Sequence, residues 1–212
     1  MRVFNVSLEV DPALEKGLAK YVTKQLKGHI KRQAISIASG IREPLRQIVH
    51  DSIVSTPEYH SLLGGKLQGE LGVTSPHQRI EAVIAEWVNN ISVTVKVASE
   101  PLLTISIGFI QQEYEDVLSL IEASYDYEGG TIPWLRWLLL EGDSRIVRDY
   151  QFSPMTRGSR TGLGIMVPSA RRGWKVPSEF SGTATDNFVT RAFDGVDIKI
   201  EKLVQSVITS KI

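Results

Sequence analysis

Residues 157–175 read RGSRTGLGIMVPSARRGWK, a stretch that mixes Gly158, Gly162 and Gly164 with Arg157, Arg160, Arg171, Arg172 and Lys175. No acid occurs between Gln151 and Ser178. Glycine and arginine together are what a phosphate cradle needs: backbone N–H groups that can approach closely, and bidentate cations. The spacing does not supply one. No Gly-Lys-Ser/Thr follows, so a nucleotide P-loop is excluded, and the Gly-x-Gly-x-x-Gly fingerprint of dinucleotide sites is absent. The glycines instead suit tight turns that need positive φ. The arginines, set among Gly, Ser and Thr, suit a nucleic-acid backbone or an acidic protein face, and Trp174 could stack. A dedicated DNA reader is basic overall, whereas this chain has no net charge. Weak, nonspecific contact with DNA is the nucleic-acid reading that survives.

Other candidates for chemistry are sparse. His29, His50, His60 and His77 are scattered, with no pair at the i, i+3 or i, i+4 spacing of a helical metal site. His50–Asp51 resembles the centre of a phosphohydrolase pair, but the further ligands are missing. No Gly-x-Ser-x-Gly elbow marks a hydrolase nucleophile. Glu113, Glu115, Asp116, Glu122 and Asp126 could flank a sugar or a metal, although on a short amphipathic segment they read better as a solvated acidic face. There is no cysteine, which excludes disulfides and thiolate metal sites. No catalytic residue, metal or cofactor is therefore expected.

The zero net charge is an average over segregated segments. Residues 1–50 hold nine Lys/Arg against four Asp/Glu, and residues 98–135 hold seven acids and no Lys or Arg. Either these segments neutralise each other within the fold, or they present opposite faces suited to head-to-tail contact between identical subunits. In the second case Lys16, Lys20, Lys24 and Lys27 would face Glu113, Glu115 and Asp116 of a neighbour.

The elements that must position these groups follow from periodicity. Residues 2–10 alternate as a strand, and Asp11–Pro12 opens a helix. Apolar residues recurring from Leu14 to Ile48 are helical in spacing, and the span to about Ser39 predicts a helix roughly 40 Å long, with Lys16, Lys20, Lys24, Lys27 and Lys31 along one side. Pro44 should break or kink it, with the joint at Ile41–Glu43, and a second helix would run from Pro44 to about Val54. The glycine-rich span 55–73 reads as a loop, and Ser75 with Gln78 as a capping box for a helix bearing Ile80, Val83, Ile84 and Trp87. Residues 91–98 and 102–110 alternate as a hairpin. A short acidic helix over 113–124, an apolar helix from Pro133, strands at 144–153 and 162–168, and a C-terminal helix capped by Thr185 or Asp186 complete the chain. The basic stretch thus falls in the connection between two strands and in the loop after the second. The expected fold class is α+β: long N-terminal helices, a small mostly antiparallel sheet of about four strands and a closing C-terminal helix. A single domain is expected, with a helical half at about 1–90 and a mixed half at about 91–212. No signal peptide is expected, and no stretch approaches the roughly 18 apolar residues of a membrane span.

The segments IPWLRWLLLEG, SRTGLGIM and WKVPSEFSGTATDNFVTRAF resemble neck proteins of long-tailed bacteriophages, the tail-completion or head–tail connector proteins of the tail-terminator-like group. Residues 57–73, PEYHSLLGGKLQGELGV, stand where relatives carry a Thr-Gly-x-Leu turn, here replaced by Gly64–Gly65–Lys66–Leu67. The resembling segments cover less than a third of the chain, and none is a chemical motif. The resemblance implies a structural protein and not an enzyme. It would assemble in the host cytoplasm into a ring, of six copies rather than twelve, and remain in the virion. Its partners would be other neck, portal or tail proteins and the double-stranded DNA passing through, with no membrane involved. Arg157, Arg160, Arg171, Arg172, Trp174 and Lys175 would contact DNA or the adjoining ring, and tryptophans 134 and 137 read as core. The rival readings are a hydrolase acting on cell wall or nucleic acid, with the acidic segment at its site, and an assembly chaperone absent from the finished particle.

Overall fold

The computed structural model describes residues 3–8, 16–97, 103–108, 114–127 and 129–211. The fold is α+β, with a long N-terminal helix, small antiparallel sheets and a C-terminal helix. Two compact units share the chain: one is Met1–Ile48, Val88–Gln112 and Gly195–Ile212, the other Val49–Trp87 and Glu113–Asp194. Their segments alternate along the sequence.

The first unit is built on β1 (Val3–Leu8), most of α1 (Lys16–Val54), β2 (Ser92–Val97), β3 (Leu103–Gly108) and α8 (Asp197–Lys211). The three strands form an antiparallel sheet in the order β1-β3-β2, with Val93 opposite Ile107 and Val97 opposite Leu103. The alternation read in the sequence holds: Leu103, Ile105 and Ile107 are buried on one face of β3. The connection between β2 and β3, expected at Ser99–Leu102, lies outside the described residues.

Pro44 does not break α1. The helix runs unbroken from Lys16 to Val54, with Pro44 inside it. Pro44 lacks the N–H that would bond the Gly40 carbonyl, at a cost of about 3 kcal/mol. Against that, Ile37, Ile41 and Leu45 on both sides of it are fully buried, worth about 1.5–3 kcal/mol each. Continuity wins because a break would withdraw more than one of them. Near its start α1 also meets the end of α8, where His29 Nε2 lies 3.2 Å from the Lys211 carbonyl oxygen.

The second unit holds α2 (Pro57–Gly64), α3 (Lys66–Leu71), most of α4 (Pro76–Asn89), α5 (Glu115–Leu118), a 3-10 turn (Ile121–Ala123), β4 (Tyr125–Tyr127), β5 (Gly130–Ile132), α6 (Trp134–Leu139), β6 (Val147–Ser153), β7 (Ile165–Trp174) and α7 (Phe188–Ala192). The span expected as a loop is therefore helical. Thr56 caps α2 by accepting from the Tyr59 N–H at 3.2 Å. Leu62, Leu67 and Leu71 drive α2 and α3 by burying completely. Ser75 adopts φ 49°, not the extended backbone of the cap expected there. The α4 face is as read: Ile80, Val83, Ile84 and Trp87 are buried, and the Trp87 ring meets Phe188 edge-on at 5.7 Å.

Instead of one sheet of about four strands, the described residues form one three-stranded sheet and two two-stranded ones, β4-β5 and β6-β7. The C-terminal helix is also two helices. Asn187, rather than Thr185 or Asp186, caps α7, and Gly195 at φ +75° separates α7 from α8. Asn187 is fully buried. Its Oδ1 accepts from the Val189 and Thr190 N–H groups, and its Nδ2 donates to Tyr114 Oη at 2.9 Å and to the Thr183 carbonyl at 2.8 Å.

Candidate functional site

The basic stretch sits on the β6–β7 hairpin. β7 extends to Trp174, so Arg171 and Arg172 lie in the strand and not in a loop beyond it. The pairing is interrupted there: Arg148 opposes Gly173 and Tyr150 opposes Pro168, so Asp149, at φ 58°, stands across from all of residues 169–172. A bulge of this kind re-aims a strand. Arg157 and Arg160 fall in the connection, both exposed, and Lys175 is exposed just after β7.

The connection is ordered from within. Ser159 Oγ accepts from the Gly164 N–H at 3.1 Å, and Thr161 Oγ1 from the Leu163 N–H at 3.3 Å. Arg160 turns back onto β4: its guanidinium lies 4.8 Å from the Tyr125 ring centroid and 5.5 Å from that of Tyr127, and Nη2 donates to Tyr125 Oη at 3.2 Å. Tyr125 in turn donates to the Leu71 carbonyl at 2.7 Å, and burial raises its pKa, keeping it a neutral donor.

Trp174 is not available for stacking on a base. It is only 6% exposed, its ring tilts against Trp137 at 6.0 Å, and its indole N–H donates to Glu70 Oε2 at 2.6 Å. Trp134 is core, as expected, and donates to the Glu122 carbonyl at 2.7 Å, whereas Trp137, also expected in the core, is only half-buried.

Beneath the hairpin opens a cleft of about 640 Å³, with Tyr125, Tyr127, Tyr150, Arg148, Arg160 and Glu70 among its lining residues. Burial raises the pKa of Glu70, partly offset by the Trp174 hydrogen bond and the charge of Lys66. The arrangement offers aromatic faces, two guanidinium groups and a carboxylate already engaged by an indole. These are binding groups, suited to an anionic ligand with an apolar portion. Apart from Arg160, the charged and aromatic members named here escaped the sequence reading. The alternation of Tyr125 and Tyr127 about Asp126 was the one local signal, since the others converge only through tertiary structure.

The remaining predicted contact residues fall in both units. Lys16 and Lys20 lie on the first turns of α1. Lys24 is exposed, whereas Lys27 is half-buried and lines a groove with Gly28, Lys31, Ala34, Val95 and Val97, so the lysine stripe is not one uniformly solvated face. Glu115 and Asp116 are exposed at the start of α5, and Glu113 lies outside the described residues. The lysines belong to the first unit and the acids to the second. Among the described residues no group of three His, Asp or Glu side chains could hold a metal ion, and no helix is long and apolar enough to cross a membrane.

Comparison with protein-family models, with curated proteins and with solved structures returns no match for the chain.

Proposed function

We propose that this chain is a structural protein of the phage neck that forms a ring joining head to tail, with DNA passing through it. The observation that carries this reading is the β6–β7 hairpin. Among the described residues its strands pair only with each other, and the segment joining them is braced by its own hydrogen bonds and by Arg160 on Tyr125 and Tyr127. Met155 and Arg157 stand exposed on that braced segment. A stiff arm carrying an apolar and a cationic residue is suited to docking on an acidic partner, because little ordering entropy is lost when it binds.

In this reading the protein acts by assembly and not by catalysis. It forms a ring of six through heterologous, closing contacts, is built in the host cytoplasm and stays in the virion beside portal or tail proteins. Contacts to passing DNA are nonspecific and screened at physiological salt, so DNA is held without being trapped. The test replaces Arg157, Arg160, Arg171 and Arg172 with Ser. The expected result is a folded protein that no longer joins heads to tails in vitro. Unchanged joining and DNA retention would remove the docking-arm reading.

A further inference from the structure

Ile121 is 82% exposed on a turn that is held rigidly. Arg79 Nη1 donates to the carbonyls of Ile121 at 3.2 Å, Glu122 at 3.4 Å and Ser124 at 2.7 Å, while Trp134 Nε1 takes the Glu122 carbonyl at 2.7 Å. Four hydrogen bonds from two buried or half-buried side chains thus fix a short acidic turn whose one large apolar residue points away from the core. An isoleucine so presented has already lost the freedom that docking would remove. Glu115 and Asp116, exposed on the preceding helix, make its surroundings anionic.

The cleft beneath the hairpin is the complement of this knob. Tyr127, Tyr150 and Trp137 offer apolar walls, and Arg148 and Arg160, the latter lying over the buried Tyr125 ring, offer cations. Glu70, the carboxylate among the lining residues, has its Oε2 taken by the Trp174 indole. We propose that the Glu115–Glu122 turn of one copy docks in the Arg148/Arg160 cleft of a second copy, with Ile121 as the anchor among the tyrosines. The inference rests on the reading of the chain as self-assembling. It deepens that reading by naming the surfaces: every copy carries one knob and one cleft, so each can give and receive a contact. Charge fixes the register of the contact and apolar burial supplies its affinity. A DNA phosphate is a poorer occupant, because it would leave the aromatic walls unused.

The chain has no cysteine, which gives a background-free cross-linking test. Full-length Ile121→Cys and Tyr150→Cys chains, carrying different tags, are mixed and oxidised, both free in solution and on purified tails. The expected product is the mixed disulfide dimer, exceeding either homodimer by about tenfold, because docking raises the effective concentration of that one pair. A control replaces Tyr150→Cys with Ser55→Cys, an exposed position outside the cleft. Pairing no better than this control in either setting overturns the proposal, as does capture of Ile121→Cys by a different virion protein. Arg148→Glu alone, or Glu115→Arg with Asp116→Arg, should abolish the mixed dimer, and uniting the three changes should restore it. Rings imaged on tails without the cross-link would refute this contact and leave the neck reading standing. The cross-link in a protein that never joins heads to tails would do the reverse.

Discussion

The indole N–H of Trp174 donates to Glu70 Oε2 over 2.6 Å, tying the last residue of β7 to α3 across 104 positions of sequence. A side chain whose type suggested contact with DNA is therefore spent inside the protein. Trp174→Phe keeps an aromatic ring in the space but strands a half-buried carboxylate, and should cost about 2 kcal/mol in urea unfolding. The pH dependence has a definite sign. Burial raises the pKa of Glu70, so the folded chain binds its proton more readily than the unfolded chain. Its contribution to stability then falls as pH rises from the ordinary carboxylate value through the raised one. Glu70→Gln should flatten that part of the stability profile. A profile unchanged by the substitution would contradict the assignment.

Arg191 and Glu58 meet at 2.8 Å, with Glu58 almost wholly buried and Arg191 also donating to Asp186 and to the Ser181 carbonyl. Arg191→Met should cost about 3 kcal/mol, because it leaves a buried carboxylate without a partner. Making Glu58→Gln in the same chain should recover part of the loss. Chemical denaturation of the two variants and their combination measures the coupling.

Gly164 has no room for a side chain: an added Cβ would strike the Phe152 ring and stand 2.6 Å from the Ser153 carbonyl oxygen. Gly164→Ala should destabilise the hairpin end by about 1–3 kcal/mol. Phe152→Leu should relieve the ring clash in the double variant. If the hairpin is the docking arm, the single variant should also lower head–tail joining before it lowers the yield of folded protein.

At Pro44 the expectation runs the other way. Pro44→Ala restores the N–H to the Gly40 carbonyl without disturbing the buried face of α1, and should raise stability by about 1–3 kcal/mol. A melting temperature that falls would mean that the proline is matched to a local bend.

Much of the architecture was legible because burial imposes periodicity. The alternation in β3 and the apolar stripe of α4 are local records of which side faces the core. Pro44 does not end α1 because its local preference is outweighed by the burial of Ile37, Ile41 and Leu45 around it, which proline content alone does not reveal. The loop reading of residues 55–73 fails similarly: glycine content outweighs three leucines that bury completely. In the C-terminal segment the Asp194–Gly195 turn signal was present but was overridden by an apolar repeat running across it. Asn187 was missed as a cap because its reciprocal partner is Thr190, not the Glu or Gln of the usual box. The cleft could not be foreseen, since Glu70, Tyr125, Arg148 and Arg160 come from α3, β4, β6 and the β6–β7 connection. Only tertiary structure brings them together.

The alternation of the two units along the chain has a consequence for the order of events on the ribosome. The second unit has all its residues once Asp194 has been made, whereas the first cannot close until Gly195–Ile212 follows and α8 meets α1, made long before. Contacts of such sequence separation form slowly. The hairpin and its cleft would thus be ready while the lysine-bearing helix still waited for its partner. If the proposed contact between copies holds, a chain stalled or cleaved in that interval would present its cleft on an unfinished body, open to premature engagement by a neighbour.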